Sequence, residues 1–364
     1  MKNSQQDGKE RAATAHDPHA RPRPMQLPAL PSRRAARTVH PLGRVSLVRI
    51  PVRRKAGPLL FLLGAITGLS LFAADAEAQT AAPDRAIEAV PRSPQLPDDY
   101  ETARSMAMGL GARASASSTN GAAHNAAGMS IQRIYHIESV VSYNPQQGSF
   151  GAGGAIADSY SGPVSMGANF RYLHGNGSEG HGGYDGRISL GLPLGDNFAI
   201  GASGRYMSFW REGADENADP YAEHLTVDAS IRVTPIPGLH FAALGYNLID
   251  VGSPLIPLQV GGSASYTIDS MFTLAFDGLA DLTTFQYEDG SIRPEALLSG
   301  SAEFFTGEVP IRAGYIYDTG RDLHYVTAGA GWMNESLGLD IAVRQQVTGN
   351  LDTRLLASFR YFIH

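Results

Sequence analysis

The 364-residue chain contains no cysteine. That excludes a disulfide framework and any cysteine-ligated metal. It also excludes a lipoprotein anchor, which needs a cysteine at the cleavage point. No lysine follows Lys55. Residues 1–78 carry 13 Lys+Arg against 5 Asp+Glu, a net +8. Residues 79–364 carry 16 against 30, a net −14. An acidic region without lysine lacks the basic footprint of a nucleic-acid binder. That region also lacks any apolar run of the roughly 20 residues a membrane-spanning helix needs. Enzyme signals are sparse. His174, His181, His224, His240 and His324 are scattered, with neither three convergent metal ligands nor an oriented Ser–His pair. The Gly-rich stretch 175–186 is no phosphate loop, because no helix follows it. No catalytic, metal-binding or cofactor-binding residue is assigned, and no cofactor is expected.

What is present begins with an address. Arg53, Arg54 and Lys55 precede the apolar run 58–74, which is followed by Ala76-Glu77-Ala78. A positive region, an apolar region and a small-x-small site read as a secretory signal peptide over 51–78, cleaved near Ala78. Residues 1–50 show no periodicity and read as a disordered extension or a mis-assigned translation start. Residues 79–100 hold four prolines and read as a periplasmic linker.

From residue 134 onward the chain alternates. Between Glu223 and Val233, Leu225, Val227, Ala229, Ile231 and Val233 interleave with His224, Thr226, Asp228, Ser230 and Arg232. One face is apolar and the other polar, the pattern of a strand between two different environments. Pro235-Ile236-Pro237-Gly238 then turns the chain into a second such run. These strands are longer than the five or six residues usual in soluble sheets. About nine to eleven tilted residues cross a bilayer. Fourteen candidate strands can be placed, over 134–143, 148–157, 164–174, 186–194, 198–209, 222–234, 239–249, 258–268, 271–282, 294–305, 309–318, 323–332, 336–346 and 351–363. An even number suits a single-chain barrel. The connections sort by parity. Alternate loops are short, whereas 175–184, 210–221, 250–257 and 285–293 are long. A transmembrane antiparallel β-barrel with both ends in the periplasm predicts that sorting.

Inward faces collect Arg171, Arg205, His224, Asp228, Arg232, Asp277, Asp281, Arg312, Asp340, Arg344 and Arg360. Their mixed signs favour a self-neutralising network over a conducting path. A barrel of fourteen strands is too wide for its own side chains to fill, so something must occupy the lumen. Gly151, Gly153 and Gly154 crowd the second strand, and Gly162-Pro163 follows. Glycine inside a strand marks a kink or a close approach, so this is a candidate site of lateral opening or of tight contact with a plug. The loop 210–221 is acidic at Glu212, Asp215, Glu216 and Asp219, most simply a solvated charge run.

Residues 101–130 do not alternate, but they carry a motif. Ala103-Arg104 precedes Gly109-Leu110-Gly111-Ala112, and Asn125-Ala126-Ala127-Gly128-Met129 closes the segment. This resembles the opening of the FadL/PorV-like outer-membrane family, with Ala126 where that family has proline. The resemblance implies an N-terminal hatch over 101–133 folded into a barrel over 134–364. Its motif residues are Arg104, Gly109, Gly111, Asn125 and Gly128. It implies an outer-membrane protein of a Gram-negative bacterium that binds or passes hydrophobic small molecules. The alternatives are a PorV-like scaffold or shuttle for a secretion or surface-attachment system and, more remotely, a lipid-modifying enzyme at the rim. The partners implied are membrane lipid, hydrophobic small molecules, a secretion system under the scaffold reading, and the barrel-assembly machinery. That machinery would read the last strand, although His364 stands where a terminal aromatic is usual. Arg104 and Arg113 are expected to pair with Asp277 or Asp281.

Overall fold

A computed structural model describes residues 101–175, 181–211, 222–250, 256–285, 287, 290–349 and 352–363. The extension, signal peptide and linker predicted before residue 101, the acidic loop residues 212–221, and His364 lie outside the described residues.

Fourteen strands form one closed antiparallel barrel. In chain order they are β1 (Tyr135–Asn144), β2 (Ser149–Asp158), β3 (Ser165–His174), β4 (His181–Pro193), β5 (Phe198–Arg211), β6 (Ala222–Ile236) and β7 (Leu239–Tyr246). There follow β8 (Gln259–Ile268), β9 (Phe272–Asp281), β10 (Glu295–Phe305), β11 (Pro310–Asp318), β12 (Leu323–Met333), β13 (Leu337–Gln346) and β14 (Thr353–Ile363). Each strand pairs with its sequence neighbours. Closure comes from β1 against β14, in register from Tyr135↔Ile363 to Tyr143↔Leu355. A membrane interior offers backbone groups no water, so every N–H and C=O must be satisfied within the wall. A closed ladder does this without an edge.

The outer surface is apolar. Ile188, Leu225 and Ile341 are each about two-thirds exposed, and Ile231, Leu274, Phe276 and Leu339 share their face. Tyr143, Phe150, Tyr184, Tyr206 and Tyr315 stand outward near the long-loop rim. Tyr160, Tyr266, Phe304, Trp332 and Tyr361 stand outward near the short-turn rim. Two aromatic belts flanking an apolar band match a membrane with two interfaces. Along β3 and β13 buried and exposed positions alternate as the sequence predicts.

Two strand limits differ from expectation by more than two residues. The fourth strand begins at His181, within a stretch whose glycines read as loop; cross-strand pairing with β5 from His181↔Arg211 onward overrides that composition. The seventh strand ends at Tyr246, short of Ile249, because Asn247 adopts a left-handed φ of 53°.

The Gly-rich β2 pairs without interruption on both sides. Its register to β1 is unbroken from Tyr135↔Asp158 to Asn144↔Ser149. Its register to β3 is unbroken from Phe150↔His174 to Asp158↔Met166. The wall is therefore closed at Gly151, Gly153 and Gly154, where a kink was a candidate. A Cβ on Gly151 would meet Ser142 Oγ at 2.6 Å, and one on Gly153 would meet the Phe170 carbonyl oxygen at 2.5 Å. Close strand approach accounts for these two glycines. Gly162 and Pro163 lie in the turn before β3, where a Cβ on Gly162 would make only ordinary contact with the Val164 backbone at 3.8 Å.

Residues 101–134 fill the lumen. A short helix α1 (Ala103–Ala107) starts at Thr102, whose side chain accepts from Ser105 N–H while Ser105 Oγ accepts from Thr102 N–H. This reciprocal cap satisfies two orphan donors. A 3-10 turn (Arg113–Ser115), helix α2 (Ser118–His124) and a second 3-10 segment (Ala126–Ile131) complete the hatch. The motif glycines have a physical reason. Gly109 and Gly111 take φ of 67° and 103°, a region that L side chains rarely occupy. A Cβ on Gly128 would overlap the Ala116 carbonyl oxygen. Gly128→Val is therefore expected to eject or unfold the closing segment while the barrel survives. Limited proteolysis should cut near Gly128 in the variant but not in the parent, and intact protection in both would contradict this packing.

Candidate functional site in the plugged lumen

The inner wall meets the hatch through a ring of hydroxyls. Ser358 of β14 accepts from Ala103 N–H at 2.8 Å, and Thr327 of β12 donates to the Ala107 carbonyl at 2.8 Å. Ser299 of β10 accepts from Leu110 N–H at 3.3 Å, and Ser263 of β8 accepts from Ala114 N–H at 2.8 Å. Ser230 of β6 accepts from Ala127 N–H at 3.0 Å, and Ser189 of β4 donates to the Ala122 carbonyl at 2.6 Å. Every even-numbered strand from β4 to β14 thus supplies one hydroxyl to the hatch backbone. Between them inward glycines make room. A Cβ on Gly201 would overlap Ala127 N, one on Gly191 the Ala126 carbonyl oxygen, and one on Gly329 would meet Ala107 Cβ at 2.6 Å.

Charges are arranged with alternating sign. Arg104 of the hatch binds Glu303 of β10 at 3.1 Å. Glu303 binds Arg312 of β11 at 2.5 Å, and Arg312 binds Asp340 of β13 at 2.5 Å. Asp340 also pairs with Arg360 of β14. Glu138, opposite Arg360 in register, accepts from Thr119 of the hatch at 2.6 Å. A second group joins Arg171 and Arg205 to Asp185 at 3.4 and 2.9 Å, and Arg187 to Asp228 at 3.1 Å. At the start of the hatch, Glu101 holds Arg344 at 2.8 Å and Arg354 at 3.6 Å.

Of the lumen residues expected from sequence, Arg171, Arg205, Asp228, Arg232, Asp277, Asp281, Arg312, Asp340, Arg344 and Arg360 are buried on the inner side. His224 shares their face near the long-loop rim and is only partly buried. Asp281 holds the loop after β9 through the Thr283 and Thr284 amides, both at 3.1 Å. The expected hatch pairing needs correction for Arg104, while Arg113 does meet Asp277. Arg104 binds Glu303 instead of Asp277 or Asp281. Asp277 accepts from the backbone N–H of Arg113 at 2.8 Å, while the Arg113 side chain donates to Tyr246 at 2.9 Å. Glu101, Glu138, Asp185, Arg187, Glu303 and Arg354 were not anticipated, although inward parity on their strands would have marked all but Glu101.

On the long-loop side of the hatch an apolar cluster stands beside the Arg171–Asp185–Arg205 pairs. Leu173, Met207, Phe209 and Ile256 form one buried cluster. Phe209 lies against Gly183, where a Cβ would overlap its ring. Leu244, Tyr246 and Leu279 pack on Ala114, and Ile316 and Tyr325 pack on Leu110. The lumen therefore carries an apolar cluster and paired charges on the long-loop side, the hatch at mid-depth, and the longest ion chain on the short-turn side.

No family model matches the chain, and no curated protein matches it by sequence. Solved structures do. The CymD monoaromatic hydrocarbon channel superposes with a TM-score of 0.55 at 12% identity, covering 74% of this chain and 98% of that one. The Ralstonia pickettii toluene transporter TbuX gives 0.54 at 11% identity, covering 75% and 100%. A Pseudomonas aeruginosa FadL homologue gives 0.53 at 13% identity, covering 72% and 98%. This chain has the FadL fold. The FadL-like hatch motif thus sits on a FadL-like barrel, and the strand count, closure and plugged lumen agree with it. At this identity the likeness is one of fold.

The ion chain predicts a clear mutational result. Glu303→Leu leaves the part-buried Arg104 without its carboxylate and the buried Arg312 with Asp340 alone, and breaking a buried pair in this way costs about 3–5 kcal/mol. Thermal unfolding followed by electrophoretic mobility should show a lower midpoint for Glu303→Leu. Glu308→Gln, on an exposed turn, should leave the midpoint unchanged. Equal midpoints for Glu303→Leu and the parent would show that the chain bears no load.

Proposed function

We propose that this protein is an outer-membrane barrel of a Gram-negative bacterium that binds hydrophobic small molecules at its outer mouth and passes them inward. The observation that carries the reading is the cluster of Leu173, Met207, Phe209 and Ile256. An apolar patch built from inward positions of β3 and β5 does nothing for a water-filled pore. It fits a site from which a poorly soluble molecule is taken out of water, a gain of roughly 25 cal/mol per Å² of apolar surface buried. The FadL fold supports the same reading, since solved proteins of that fold include a monoaromatic hydrocarbon channel and toluene transporters. The chain uses no covalent chemistry in this role. The signal peptide is cleaved near Ala78, and the last strand engages the assembly machinery.

Native mass spectrometry of the detergent-purified protein tests the reading. Retained toluene or another apolar molecule, lost in Phe209→Glu while the variant still folds, is the expected result. A parent protein that retains nothing from a panel of aromatic and aliphatic ligands would refute it. Sequencing the mature N-terminus in the same preparation should give Gln79 first. An intact 58–74 run would overturn the cleavage.

A further inference from the structure

The wall is least continuous between β6 and β7. Their register runs from Ala229↔Gly245 to Val233↔Phe241 and shifts before Ile236↔Leu239. Toward the long-loop rim β6 continues to Ala222 with β5 as its partner, but β7 stops at Tyr246. Asn247 then leaves the ladder with its left-handed φ. Its backbone N–H donates to Asp228 Oδ1 at 2.8 Å, and its side-chain amide donates to the Pro257 carbonyl at 2.8 Å. Leu248 N–H donates to the Val227 carbonyl at 2.8 Å, and its side chain covers Gly245. A carboxylate thus stands where the next rung of the ladder would be.

Directly behind this seam lies a small cavity between hatch and wall. Asn125 and Ala126 line it from the hatch, and Asp228, Ser230 and Tyr246 line it from the wall. It has room for about one water. Asn125 is 2% exposed. Its amide group donates to the Arg113 carbonyl at 2.8 Å, yet its Oδ1 has no hydrogen-bond partner. Asp228 Oδ2 lies 3.1 Å from Arg187 Nε but accepts no hydrogen bond. Ser230 Oγ accepts from Ala127 N–H, which leaves its own proton to give.

We infer that this cavity holds one ordered water, which donates to Asn125 Oδ1 and Asp228 Oδ2 and accepts from Ser230, and that this joint couples the hatch to the β6–β7 seam. A buried water typically makes about three hydrogen bonds, and three partners converge here. Leaving Asn125 Oδ1 dry would cost the desolvation of a buried acceptor. Asp228 is then a positioning residue. One of its oxygens holds the seam through Asn247, and the other reaches the hatch through the water. Movement of the hatch at Asn125 loosens the turn at Asn247, whatever the barrel carries.

Two measurements test the joint. An experimental structure that resolves ordered solvent should show one water within hydrogen-bond distance of Asn125, Asp228 and Ser230; an empty cavity there overturns the inference. Hydrogen exchange on the protein in detergent tests the coupling. In Asn125→Leu the amides of Asn247 and Leu248 should exchange roughly tenfold faster, the loss of about one hydrogen bond's worth of protection, while those of Gly153 and Ala155 stay unchanged. Arg104→Met, which loosens the other half of the hatch, should leave Asn247 unmoved. Acceleration spread evenly over the wall, or none at Asn247, contradicts the coupling. If Asn125→Leu does not fold, the solvent density in the unsubstituted protein decides.

Discussion

The hatch backbone needs partners where there is little water to supply them. A segment of short helices and 3-10 turns leaves many N–H and C=O groups unpaired at its ends, and most of this one is buried. The inner wall answers with hydroxyls at matching depth: Ser358, Thr327, Ser299, Ser263, Ser230 and Ser189. Serine and threonine suit the task, because one oxygen can donate or accept as the local backbone demands. The hatch follows the circumference of the lumen from β14 at Ala103 to β8 at Ala114, then meets β4 at Ala122 and turns back to β6 at Ala127. Small inward residues such as Gly191, Gly201 and Gly329 let it approach the wall. Remove this ring, and a barrel of fourteen strands would enclose an open channel.

Charge obeys the same necessity. Buried arginines and carboxylates are tolerable only when paired and hydrogen-bonded. Arg104, Glu303, Arg312, Asp340 and Arg360 alternate in sign across four strands and the hatch, so no member faces a like charge as its nearest partner. Such a chain holds the plug in place. It makes a poor conduit, because a passing ion would have to replace a partner already in contact. An apolar cluster around Phe209 and Met207 stands on the long-loop side, directly beside the pairs that Asp185 makes with Arg171 and Arg205. Architecture and chemistry therefore give the lumen a sealed middle and a mouth in which an apolar cluster lies among paired charges.

Much of this was legible in the sequence because it depends on period and parity. Alternation at Leu225–Val233 marked a two-sided strand, and the sorting of loop lengths oriented the barrel. Inward charges such as Arg171, Arg312 and Arg344 followed from the same alternation. The hatch motif was legible as well, and Gly109 and Gly111 prove to be required by their backbone angles. What was hidden depends on which strands become neighbours and at what stagger. Arg104 meets Glu303 because the hatch crosses β10 on the short-turn side, a depth that spacing in the chain does not encode. The glycines of β2 left lateral opening and tight contact with the plug both open; cross-strand pairing runs unbroken there, and Gly151 and Gly153 serve close approach between strands. The early end of β7 turns on one φ angle at Asn247 and one carboxylate opposite it, features with no periodic signal.

The central claim is a lumen sealed by a hatch that hydroxyls and ion pairs hold in place. Single-channel recording of the purified protein in a planar bilayer tests it most directly. The account predicts no steady ion conductance across the barrel at rest. A stable open current from the intact protein would contradict it.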